Sequence, residues 1–198
     1  MKNKLTLLTT VFILVLGCST HSSVGSQEKK PESRAAKPVD TDSRQAQAMK
    51  GLRDRVLTSS PEEIGLTGED AKAKVWGVMM ELTFSSGGSI TLLSLRDGTA
   101  SLYGSTGGGM LGGYAAQKEA KRFVAEGEKH LASMQPTKSF PYPEVGRLKF
   151  YVLTHDGVYT AEAGESKVQD ARHPLFPLFI AANEVLDVLR TVNQRPVK

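Results

Sequence analysis

Cysteine is almost missing from this chain: Cys18 is the only one in 198 residues. A disulfide framework is therefore excluded, and so are metal sites built on thiolates, because both need several sulfurs. A dominant charge is missing as well. Of 25 basic residues, Lys2 and Lys4 lie at the extreme N-terminus, and the remaining 23 face 21 acidic ones. That excess is too small for the basic footprint of a nucleic-acid-binding protein. No apolar run reaches the ~20 residues that span a bilayer, and no internal repeat is evident. Once the N-terminal stretches are set aside, roughly 140 residues remain, enough for one core that must hold without cross-links.

The N-terminus carries the most specific pattern. Lys2 and Lys4 precede the apolar residues 5–16, and Val15, Leu16, Gly17 and Cys18 follow in order. A basic segment, a short apolar segment and a small residue before a sole cysteine resemble a bacterial lipoprotein signal peptide. The resemblance covers residues 1–19 and implies cleavage of residues 1–17. Diacylglycerol would then sit on the Cys18 sulfur, with a further acyl chain such as palmitate on its amine. It also implies a protein anchored to a membrane rather than spanning it. Ser19, at the position after the cysteine, implies the outer membrane facing the periplasm ahead of the inner membrane or the cell surface. Residues 18–41 then form a tether. They are rich in Ser, Lys, Glu, Pro and Gln and poor in large apolar side chains, a composition that cannot offset the entropy of ordering. Random-coil scaling gives such a stretch a reach of roughly 25 to 30 Å.

Residues 42–66 read as a short helical arm. Met49, Leu52 and Val56 form a stripe among Lys50, Arg53 and Arg55, which either docks on the domain or lies on an anionic membrane surface. Ser60, Pro61, Glu62 and Glu63 have the order of a capping box ended by Gly65. Residues 67–198 read as one α+β domain. Residues 75–84, 90–95 and 99–103 form a meander, with Asp97 and Gly98 at its tight turn. Residues 116–134 form an amphipathic helix with Ala116, Ala120, Phe123, Val124, Gly127 and Leu131 on one face. Pro136, Pro141 and Pro143 impose an extended connection carrying Phe140 and Tyr142. A second hairpin, residues 148–154 and 158–162, turns at Asp156 and Gly157, and a terminal helix follows Pro174. The economical assembly is a two-layer sandwich: a five-stranded, mainly antiparallel sheet with two long amphipathic helices on one face.

Candidate chemistry is sparse. Gly107, Gly109 and Gly112 match G-x-G-x-x-G, here read as lying between a strand and a helix. Their preceding strand belongs to a hairpin, which argues against a dinucleotide cradle. Two readings stay open: a corner where backbones pack closely, and a backbone nest that, with Ser105, binds an anion or a peptide carboxylate. His155, Asp156, Glu162 and His173 are able to bind zinc, although their spacing is no metal motif. Ser105 with a histidine and Asp156 or Asp170 makes a formal triad, but no G-x-S-x-G elbow surrounds it. Trp76, Tyr103, Tyr151 and Tyr159 on strands either pack in the core or form a recognition face. The reading is a lipid-anchored envelope protein that acts as a non-enzymatic binding module for an envelope protein or peptide, with no cofactor and no nucleic acid. The alternative is a small periplasmic hydrolase or metalloenzyme using Ser105 or His155 and His173.

Overall fold

In the stretch Val75 to Leu82, Val78, Met80 and Leu82 point to one side while Trp76, Met79 and Glu81 point to the other, and nearly all of them are buried. A strand buried on both sides must be covered on both sides, and that requirement shapes the fold. The computed structural model describes residues 41–193. In chain order the elements are α1 Thr41–Thr58, α2 Gly68–Lys72, β1 Val75–Thr83, β2 Ser89–Leu95, β3 Ala100–Gly104, β4 Gly109–Gly113, α3 Gln117–His130, β5 Gln135–Thr137, β6 Arg147–Thr154, β7 Gly157–Gly164, α4 Glu165–Val168 and α5 Phe176–Asn193. The signal peptide, Cys18 and nearly all of the tether expected from the sequence lie outside the described residues.

The strands form one antiparallel sheet in the order β4-β3-β2-β1-β6-β7-β5. The α+β class with an antiparallel sheet is thus as expected, but the sheet has seven strands rather than five. β4, with the sequence GMLGG, lacks the side chains that mark a strand. β5 is only three residues long and contains Pro136, so it reads as connection. Two layers also become three. α3 and α5 pack together on the first face over Val78, Leu92, Phe150 and Val152. On the second face, Val56 and Leu57 of α1 join Leu66 and Ala71 over Trp76, Met79, Leu93, Tyr103, Tyr151 and Leu153. Each fully buried large apolar side chain contributes about 1.5–3 kcal/mol, so both faces matter to stability.

The local signals explain the connections. Ser60 and Glu63 bond reciprocally: the Ser60 N–H donates to Glu63 Oε2 at 2.8 Å and the Glu63 N–H to Ser60 Oγ at 3.3 Å. Gly98 takes the left-handed conformation (φ 95°) that its tight turn requires. Among the described residues no helix is long and apolar enough to cross a membrane.

α3 approaches the sheet most closely at Gly127, where a Cβ would lie 2.4 Å from Val78 Cγ2 and 3.4 Å from Val152 Cγ2. Valine is stiff and cannot swing aside. Gly51 in α1, by contrast, has nothing within 4 Å of the same position. Alanine should therefore act with opposite signs at the two helical glycines. Gly51→Ala should raise stability by up to about 1 kcal/mol through helix propensity. Gly127→Ala should lower it by on the order of 1 kcal/mol, as overpacking outweighs the same propensity gain. Urea unfolding of both variants checks this; equal gains at both sites would contradict the close approach of α3.

Candidate functional site

The second face changes character along the strands. In the register of the sheet Thr91 of β2 stands opposite Glu81 of β1, Glu81 opposite Lys149 of β6, and Lys149 opposite Glu162 of β7. This row of polar side chains crosses four strands just beyond the apolar patch around Met79 and Tyr151. Glu81 is wholly buried, a position that a carboxylate tolerates only with a close cation.

α1 supplies that cation. Arg53, 2% exposed, reaches from the helix into the sheet. Its Nε donates to Glu81 Oε1 at 2.5 Å and its Nη2 to Glu81 Oε2 at 2.8 Å, a two-pronged pairing that matches the planar fork of guanidinium. Thr91 Oγ1 donates to Glu81 Oε1 at 2.7 Å. Nη2 also donates to the Phe140 carbonyl at 2.8 Å and Nη1 to Asp54 Oδ1 at 3.0 Å. The guanidinium lies over the Tyr142 ring, 4.2 Å from its centre. Burial alone works against the charge on Arg53, but Glu81 outweighs it and holds the guanidinium above its ordinary range. Burial, reinforced by the charge of Glu81, pushes the Tyr151 phenol up in turn, which keeps it a neutral donor.

The same residues clamp the proline-rich connection. Tyr151 Oη donates to the Pro141 carbonyl at 3.1 Å, Lys149 Nζ lies 3.4 Å from it, and Phe140 meets the Tyr151 ring edge-on at 5.9 Å. Beyond the clamp, a shallow groove of about 420 Å³ opens over β6 and β7, lined by Gln135, Thr137, Ser139, Pro141, Lys149, Thr160 and Glu162. Glu162 pairs with Arg147 and with Lys149, the latter at 3.2 Å. Although partial burial opposes it, this pairing holds the Glu162 carboxyl below its ordinary range. The groove's walls are mainly apolar in area, Pro141 and Ala161 among them, and carry hydroxyls, an amide and a compensated charge pair.

The residues singled out from sequence are placed elsewhere. The glycine run is not the corner between a strand and a helix. Gly107 (φ 104°) lies in the turn between β3 and β4, its N–H donating to Gly104 O, and Gly109 (φ 145°) and Gly112 belong to β4. A Cβ at Gly109 would fall 2.1 Å from Leu102 O, so that glycine serves the hairpin. Ser105 Oγ accepts the Ser89 N–H at 2.7 Å. Ser105 and His155 sit at opposite ends of the sheet: Gly104 pairs through Ile90 to Leu82, whereas Thr154 pairs with Val75. Those ends are about 25 Å apart at the usual rise per residue. His155 Nε2 lies 2.8 Å from Ala71 O, and His173 Nδ1 accepts the Leu175 N–H at 3.1 Å. Among the described residues no three His, Cys, Asp or Glu side chains gather around a common point. Trp76, Tyr103 and Tyr151 do share the second face, but buried, while Tyr159 packs against the first.

Arg53 and Glu81 escaped the sequence reading, although Glu81 had a signal: it is a lone acid in an otherwise apolar strand and demands a buried cation. Comparison with protein-family models, with curated proteins and with solved structures found no match for this chain.

Removing Arg53 leaves Glu81 buried and unpaired. Arg53→Ala should lower stability by about 3–5 kcal/mol, whereas Arg55→Ala, on the exposed side of α1, should change it by less than about 1 kcal/mol. Replacing both members of the pair by methionine should recover most of the loss. Denaturant titration of the three variants measures the differences, and equal effects at Arg53 and Arg55 would contradict the geometry.

Proposed function

We propose that this chain is a lipid-anchored bacterial envelope protein whose folded part is a non-enzymatic binding or interaction module. The observation that carries the anchor is the order at the N-terminus: Lys2 and Lys4, the apolar residues 5–16, then Gly17 and the sole Cys18. Cys18 is the residue that takes the lipid. Two or more acyl chains hold a protein to a membrane firmly where one chain binds marginally, and Ser19 favours the outer membrane facing the periplasm.

Support for a binding role comes from how the polar groups are used. The Arg53 and Glu81 pair joins α1 to the sheet, His130, His155 and His173 are engaged with backbone, and Ser105 caps a hairpin. One surface open to a ligand is the groove beside Thr160, whose size and mixed lining suit an extended peptide segment of another envelope protein. Near-balanced charge argues for a protein partner over nucleic acid.

The anchor is tested by intact mass of the protein purified from membranes, alongside a Cys18→Ala variant followed through membrane fractionation. A diacyl or triacyl mass that disappears with Cys18→Ala, together with loss from the outer-membrane fraction, is the expected result. An unmodified thiol on Cys18 would overturn the localisation.

A further inference from the structure

The two ends of the sheet differ in charge. At the end where β1 begins, the connections carry Lys74, Arg96, Asp97 and Asp156. At the other end, residues 84–88 join β1 to β2 and residues 105–108 join β3 to β4, and both consist only of Phe, Ser, Thr and Gly. These two turns form one surface: the Ser105 N–H donates to the Ser89 carbonyl at 2.8 Å, and a Cβ at Gly88 would lie 3.0 Å from Thr106 Cγ2. Val145, bridged to Thr83 at the same end, is 59% exposed, one of two large apolar residues so exposed among the described ones. α1 begins here as well. A Cβ at Gly107 would lie 3.1 Å from Gln45 Cβ, whereas Arg53 reaches Glu81 and Leu57 joins Trp76 in the core, so the helix runs from the uncharged end toward the charged one. Thr41, the first residue of α1, stands about 6 Å before Gln45 along the helix axis.

We propose that this uncharged end is the surface that rests on the lipid headgroups of the membrane holding the anchor, with the charged end pointing away. The inference rests on the lipid anchor proposed above, and the position of Thr41 selects the surface. Residues 19–40 connect Cys18 to Thr41, so the chain coming from the membrane enters the domain at this end. With a reach of roughly 25 to 30 Å, that connection keeps the domain close to the bilayer, where a weak contact is enough to orient it. Which end faces the lipid then depends on desolvation. The two turns and Val145 lie at headgroup level without stripping water from any charge, whereas the opposite end would have to desolvate Lys74, Asp97 and Asp156. Arg44, Glu144 and Arg147 flank the uncharged surface, on α1 and beside Val145. Long arginine side chains at that level keep their charge in contact with water and headgroup phosphate. In this orientation the strands stand upright on the membrane, and the groove beside Thr160, on a face of the sheet, opens sideways to an envelope partner.

Two single-cysteine variants test this, because lipid on the Cys18 sulfur leaves the introduced thiol as the only one. Ser86→Cys marks the uncharged end and Asp156→Cys the charged end, about 25 Å apart at the usual rise per residue. Each lipidated protein, labelled with a fluorophore, is bound to vesicles of phosphatidylethanolamine and phosphatidylglycerol that carry a nitroxide on the headgroup, a quencher acting at contact range. The Ser86 label should be quenched and the Asp156 label spared. Adding Thr106→Glu and Val145→Glu, both at exposed positions, should abolish that difference while circular dichroism and thermal midpoint stay unchanged. Equal quenching of the two labels, stronger quenching at Asp156, or a difference indifferent to the two glutamates would overturn the proposal. So would a difference lost in about 0.5 M salt, which would assign the contact to the basic residues of α1. A chain that carries no lipid on Cys18 and fails to float with the vesicles would instead remove the anchor, and this inference with it.

Discussion

A carboxylate at position 81, towards the end of the central strand, constrains everything packed around it. Glu81 has no access to water, and an isolated charge there would be prohibitive. Its two oxygens are satisfied by Arg53 and Thr91, from a helix 28 residues upstream and from the neighbouring strand. Arg53 in turn donates to Asp54 and to the Phe140 carbonyl, and its face rests on Tyr142. One ion pair thus fastens α1, the sheet and the proline-rich connection to one another. Buried pairs of this kind add little net energy over apolar replacements, but they leave few alternative arrangements of the parts they join.

Closure of both faces has a consequence for function. Trp76, Tyr103 and Tyr151 lie beneath helix and loop, so among the described residues they form no open recognition face. The shallow groove beside Thr160 opens over β6 and β7, where the cover of α1 ends.

Much of the fold was legible because period and turn chemistry agree. The Phe123, Val124 and Gly127 stripe, the Asp97-Gly98 turn and the Ser60 to Glu63 box each correspond to the element expected from them. The two outermost strands were illegible for physical reasons. Edge strands need few apolar side chains, and a glycine run or a Gln-Pro-Thr triplet pairs through its backbone alone. Arg53 was hidden because spacing on a helix gives one stripe, and a long side chain beside that stripe reads as solvated whether or not a buried acid awaits it. The Ser105 and histidine combinations rested on residue type without distance. Register alone separates Ser105 from His155 by the length of β1.

Native-state hydrogen exchange on the full chain tests most directly whether α1 is an integral layer rather than an appended arm. If the Arg53 and Glu81 pair couples them, amides in the middle of α1 around Arg53 should exchange through the same global opening as those of β1 and β6, with equal free energies. Exchange of α1 at a free energy well below that of the sheet, with β1 still protected, would show that the helix leaves without disturbing Glu81 and would contradict the account.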